Sequence, residues 1–150
     1  MKPLQIEGSP DEEDLVWVQN ILRKMGVPQS QIIRNGYLFY HDEKREVCYS
    51  RDDNTAPVWG AYSMSVGRWV THHPDIMMVN KKKVLKLIIE IDGSAHDDRP
   101  GRRRTHKRDQ HYEEMKIDHF IKINKAEESD WHQALIDHLL ELEETSDLFD

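Results

Sequence analysis

Carboxylates in an unexpected place open the chemical reading of this 150-residue chain. The segment VLKLIIEIDGSAHD, residues 84–97, is its most apolar stretch, yet it carries Glu90 and Asp92, with His96 and Asp97 just beyond. Side chains along a strand alternate between faces. Val84, Lys86, Ile88, Glu90 and Asp92 therefore share one face, and Leu85, Leu87, Ile89 and Ile91 share the other, which must be buried. If Val79 pairs with Val84 across a tight turn, Asp75 falls opposite Ile88, on the Glu90 face. The two acids are then diagonal neighbours, roughly 7–8 Å apart between backbones. Carboxylates gathered on one face repel and shift their pKa values unless a cation joins them. A divalent ion with oxygen ligands supplies that cation, at about 2.0–2.1 Å for magnesium. The plain alternative is an exposed strand end, where acids need no partner.

Charge is distributed unevenly around these residues. The chain carries a net charge of −7, with five acids and one lysine in residues 1–15 and nine acids without a lysine or arginine in residues 127–150. Residues 81–108 reverse the sign, with ten basic residues against four acids, two of which are Glu90 and Asp92. A basic belt around a small carboxylate cluster suits a polyanion held over a metal. The alternative is a solvated charged face. No apolar run reaches the ~18 residues of a membrane span, and MKPLQIEGSPDEED has no signal-peptide h-region. One cysteine, Cys48, allows neither an internal disulfide nor a cysteine-rich zinc site. A cytoplasmic protein with no membrane contact is expected.

The elements that must position the acids follow from periodicity. SPDE at 9–12 predicts a helix start, with Ser9 as N-cap, Pro10 at the first position and Glu12 closing a capping box. Leu15, Val18, Leu22 and Met25 repeat at helical spacing, and Gly26 should end the helix. Residues 37–40 and 46–50 flank a charged turn and predict a hairpin, and 51–63 predict a loop. Residues 68–71, 75–79 and 84–92 are strand-like, 105–118 helical, 119–123 a final strand and 130–143 an amphipathic helix. One α/β domain over residues 1–150 is expected, built on one central mixed sheet flanked by helices. Its core would be 9–25 and 68–143, with an inserted hairpin and loop region at 30–67.

HPDIMMV, LIIEIDGSAHD and KRDQHYEEMKIDHFIKIN together resemble the PD-(D/E)xK nuclease superfamily, a restriction-endonuclease-like fold. They are most similar to the branch of very-short-patch repair endonucleases and EDxHD homing endonucleases. The resemblance covers residues 74–123 well and 9–25 weakly. On it, Glu13, one turn before Trp17, matches the first-helix acid and Asp75 the strand aspartate. Glu90-Ile91-Asp92-Gly93 matches the strand end, His96 the histidine beyond it, and Asp109, after Arg108, the helix aspartate. The chain departs from the pattern in having Asp92 where the usual lysine stands. Its single cysteine also cannot rebuild the structural zinc of patch-repair enzymes.

The resemblance implies hydrolysis of DNA phosphodiesters with Mg2+ or Mn2+ and no structural zinc, in a bacterial or phage-type host. Asp75, Glu90 and the Ile91 carbonyl would hold the metal, and Asp92 would bind a second ion or sit behind the first. His96 would transfer a proton at the attacking water or the leaving group. Asp109 would orient His96 or metal-bound water, and Glu13 would hold water from the opposite wall. Lys81, Lys82, Lys83, Arg99, Arg102, Arg103, Arg104, Lys107 and Arg108 would contact phosphates, giving affinity without sequence information. The rival readings are a nucleic-acid-binding module that kept the fold and lost activity, and a repair or transposition nuclease of the same superfamily. A monomer would nick one strand; a double-strand break needs a homodimer or two successive nicks.

Overall fold

The structure, a computed structural model, describes residues 12–41, 46–51, 69–92 and 99–145. Leu15, Val18 and Leu22 form the buried stripe of helix α1 (Glu12–Lys24). The helix ends as its glycine predicts. Gly26 takes φ +103°, with its N–H on the Arg23 carbonyl and the Val27 N–H on that of Leu22. This paired arrangement satisfies carbonyls the helix leaves open. Glu12 pairs with Arg34 at 2.6 Å, and the predicted caps Ser9 and Pro10 lie outside the described residues.

Among the described residues seven strands follow: β1 (Ile32–Arg34), β2 (Tyr37–His41), β3 (Glu46–Ser50), β4 (Trp69–His72), β5 (Ile76–Val79), β6 (Leu85–Asp92) and β7 (His119–Asn124). Helix α2 (Arg99–Glu114) links β6 to β7, and α3 (Trp131–Thr145) follows β7. A mixed α/β architecture is observed, but the single sheet expected from the sequence is two. The main sheet runs β1-β5-β6-β7, antiparallel except for the parallel β6–β7 pair, and the second runs β3-β2-β4. The region read as an insertion contributes β1 to the edge of the main sheet. At Gly36 the chain leaves β1 for the second sheet. A Cβ there would come within 2.5 Å of Ile33 and 2.8 Å of Met77 and the Ser50 carbonyl, so glycine is required.

The main sheet has an apolar cluster on each face. Leu87, Ile89, Ile91, Ile121 and Ile123 meet α1 and α3 through Leu15, Val18, Leu22, Trp131, Leu135 and Leu139. Ile88, Met77 and Val79 meet α2 and the second sheet through Tyr112, Met115, Leu38 and Tyr40. Burial on both faces explains why β6 reads as a continuous apolar run. The predicted register is corrected. Met77 faces Ile88, and Met78 and Val79 face Leu87 and Leu85, so Lys86 is an extra residue on β6. Such a bulge changes the register and the face of what precedes it. Leu85 accordingly packs with Ile88 rather than with Leu87.

Candidate active site

The register places Asp75 immediately before β5 and, by continuing the ladder from Ile76–Ile89, opposite Glu90 rather than Ile88. A shift of two residues preserves the face. Asp75 and Glu90 are therefore direct neighbours, closer than the diagonal expected from the sequence. Asp75 Oδ2 accepts the Ile91 backbone N–H at 2.7 Å, where β5 has no residue left to pair with it. The N–H and C=O of a strand residue point to the same edge. The Ile91 carbonyl thus faces the Asp75 side as well. Glu90 is 3% exposed and Asp92 5%. Burying two acids at the end of a core strand carries a large cost unless they are neutralised or paired.

Three groups share that task. Tyr112 donates its hydroxyl to Glu90 Oε1 at 2.9 Å. Arg108, one turn earlier on α2, lies 3.4 Å from Glu90 Oε2 and 3.6 Å from Asp92 Oδ1, and donates to Asp109 at 3.0 Å. Lys122, opposite Glu90 on β7, reaches Asp109 at 2.8 Å and Asp92 at 4.0 Å. Burial still wins at Asp75, lifting its carboxyl to about 6 despite the Ile91 N–H and a hydrogen bond from Glu90. Burial, then the Asp75 charge, pushes Glu90 well above the carboxylate range, against the pull of Arg108. Burial also raises the Tyr112 hydroxyl, as does its neighbour Glu90. For Arg108 burial works downward, but Glu90, Asp92 and Asp109 outweigh it and hold the guanidinium firmly charged.

Asp75, Glu90, Asp92, Arg108 and Asp109 are thus brought together. Other expected residues are not. Glu13 is exposed on α1, whose buried stripe packs on the opposite face of the sheet from Tyr112. Its neighbour Asp14 is the acid tied to this end of the sheet, through Lys125 Nζ at 2.5 Å; the Lys125 N–H in turn meets the Asp92 carbonyl. Lys81, Lys82 and Lys83 are exposed in the β5–β6 turn, shaped by Asn80 Oδ1 accepting the N–H groups of Lys82 and Val84. Glu90 lies seven residues on from Lys83 along an extended chain, roughly 23 Å. His96 lies outside the described residues. Arg99, Arg102, Arg103, Arg104 and Lys107 lie on α2, which begins at Arg99 rather than near 105.

Sequence reasoning missed two participants. Tyr112 was expected to face inward, and it does, but its hydroxyl contact with Glu90 depends on how α2 crosses β6. Lys122 stands between Ile121 and Ile123, both buried on the α1 side, so strand alternation alone puts it on the Glu90 side. It returns a lysine to a site where the sequence showed none.

Beside Tyr112, His72 and His111 lie within hydrogen-bond distance, 3.0 Å between ring nitrogens, and the His72 ring meets the Tyr112 ring at 5.3 Å. Burial, then the charges of His111, Arg108 and His73, lower His72 to about 4. Its unfolded value is near ~6.5. The unfolded chain therefore binds the extra proton first, and His72 costs stability as pH falls from ~6.5 towards 4. Asp75 acts oppositely over about the same range, because its raised pKa favours the folded state when protonated. A His72→Gln variant should gain melting temperature relative to the parent as pH drops from 7 to 5. An unchanged difference between the two melting curves over that range would remove His72 from the acid response.

Among the described residues no group of three or more His, Cys, Asp or Glu side chains is arranged to hold a metal ion. The donor chemistry of Asp75, Glu90 and Asp92 nonetheless fits a hard cation, being all carboxylate oxygen. Comparison with protein-family models, characterised proteins and solved structures gives no match for the chain. No described helix is long and apolar enough to cross a membrane.

Proposed function

We propose that this chain is a metal-dependent endonuclease that hydrolyses DNA phosphodiester bonds on a PD-(D/E)xK-type fold. The observation that carries the reading is the burial of Glu90 and Asp92 at one end of the main sheet with Asp75 half-buried beside them, Asp75 and Glu90 both pushed up in pKa. Packing gains nothing from acids there, and perturbed groups of this kind concentrate at functional sites. Asp75, Glu90 and Asp92 would hold magnesium or manganese, with the Ile91 carbonyl on the same side. The ion would polarise the phosphate and lower the pKa of a bound water.

The chain's own residues do the rest. Tyr112 fixes Glu90 from behind, so the carboxylate does not rotate away from the strand end. Lys122 and Arg108 balance the charge of Asp92 and Asp109. Helix α2 connects this site to the basic stretch. Arg99 stands nine residues before Arg108, about 13 Å along the helix axis. A phosphate backbone bound along α2 would therefore be led to the carboxylates. His96 remains the candidate for proton transfer in this reading.

The inactive-binder reading has one observation in its favour, the ion pairs that Arg108 makes with the acids. Incubation with supercoiled plasmid separates the two. Nicking in magnesium or manganese that stops with chelator is expected. Binding that weakens with salt but leaves the plasmid intact in both metals establishes the binder instead.

A further inference from the structure

The guanidinium of Arg108 stands where the cluster needs its positive charge. It contacts three acids from two elements, Glu90 and Asp92 of β6 and its own neighbour Asp109. Its side chain is 19% exposed and lies 5.9 Å from the Tyr112 ring centroid. The arrangement closes the carboxylates on one another: Asp75 holds a backbone N–H, Glu90 a tyrosine, and Arg108 the space between acids. Arg108 and Tyr112 are four residues apart on α2, so they meet Glu90 side by side. Lys122 contributes from β7 but is 37% exposed and closest to Asp109.

We propose that Arg108 is the resident counter-cation of the cluster and that a divalent ion takes its place by exchange. The guanidinium released from Glu90 and Asp92 then turns to a phosphate of the bound nucleic acid, which its planar fork of donors suits. This inference rests on the metal-dependent reading of the site. It assigns Arg108 two successive partners, carboxylates without metal and phosphate with it. Metal and duplex then bind with positive coupling, because each favours the state in which Arg108 has left the acids. Arg108 binds the nucleic acid in this scheme, and its effect appears in binding before any bond is cut.

Calorimetry of magnesium binding to the full chain tests the exchange, with and without a short phosphorothioate duplex. Arg108→Gln removes the competing charge and should bind magnesium about tenfold more tightly than the parent, within the range usual for coupled sites. Arg108→Lys keeps the charge and should stay near the parent. The duplex should tighten magnesium binding to the parent several-fold and leave Arg108→Gln unchanged. If Arg108→Gln needs magnesium to fold, a larger rise in melting temperature with magnesium than the parent shows supports the same conclusion. Equal or weaker magnesium binding by a folded Arg108→Gln overturns the exchange and leaves the metal reading standing. Absence of both binding heat and melting shift in all three proteins overturns the metal reading, and the exchange with it.

Discussion

Asp75→Asn is expected to cut plasmid nicking by on the order of 10²–10³-fold while the protein keeps its melting temperature to within a few degrees. The size of the loss is that of removing one group stabilising charge at a reacting centre. Asparagine is the informative substitution because of what Asp75 does for the fold. Its Oδ2 accepts the Ile91 N–H at 2.7 Å at the point where β5 has run out. An asparagine oxygen accepts the same bond, so the strand end stays closed. Alanine would leave that N–H without this acceptor, at a cost of roughly 1–3 kcal/mol if no water replaces it. A loss of activity in Asp75→Ala would then mix chemistry with stability. Nicking by Asp75→Asn at the parent's rate, in saturating magnesium, would exclude Asp75 as a metal ligand.

The site was legible in the sequence to the extent that it depended on alternation. Asp75, Glu90 and Asp92 could be put on one face because side chains in a strand repeat every two residues, and the register differs from the expected one by two at Asp75, which keeps the face. The helix stop at Gly26 was readable because positive φ selects glycine. What failed was long-range. Ile32–Arg34 is too short for periodicity to show, and nothing local says that it joins β5. Residues 68–71 read as a strand and the strand runs Trp69–His72, but its partner is β2 rather than the main sheet. That pairing brings His72 against Tyr112 and makes a second sheet of the hairpin. Arg108 was assigned to phosphate from the charge of its neighbours in sequence, yet its neighbours in space are Glu90, Asp92 and Asp109. Charge runs report composition along the chain; they do not report which charge a helix turns inward.

Glu90→Gln should raise the stability of the protein while removing its nicking activity. Glu90 is 3% exposed and pushed well above the ordinary carboxylate range by burial and by the Asp75 charge. A protonated Glu90 donates to Asp75 and accepts from Tyr112. Glutamine reproduces both contacts without an ionisable proton. The sign of the effect follows from linkage. A carboxyl with a raised folded pKa favours the folded state when protonated, below its unfolded value of ~4.3, and that advantage is lost as pH rises through the folded pKa. The parent must therefore bear the cost of ionising Glu90 at high pH, and the variant need not. The gain should be smallest near pH 4 and grow towards pH 8, as the parent comes to bear more of the cost of ionising Glu90. Arg108 loses Glu90 in exchange but keeps Asp92 and Asp109. Melting curves in chelator across that range measure the balance. A variant less stable than the parent throughout would mean that attraction to Arg108 outweighs burial and repulsion at Glu90. The acid would then serve to hold α2 on the sheet, and no functional reason would be needed for its position.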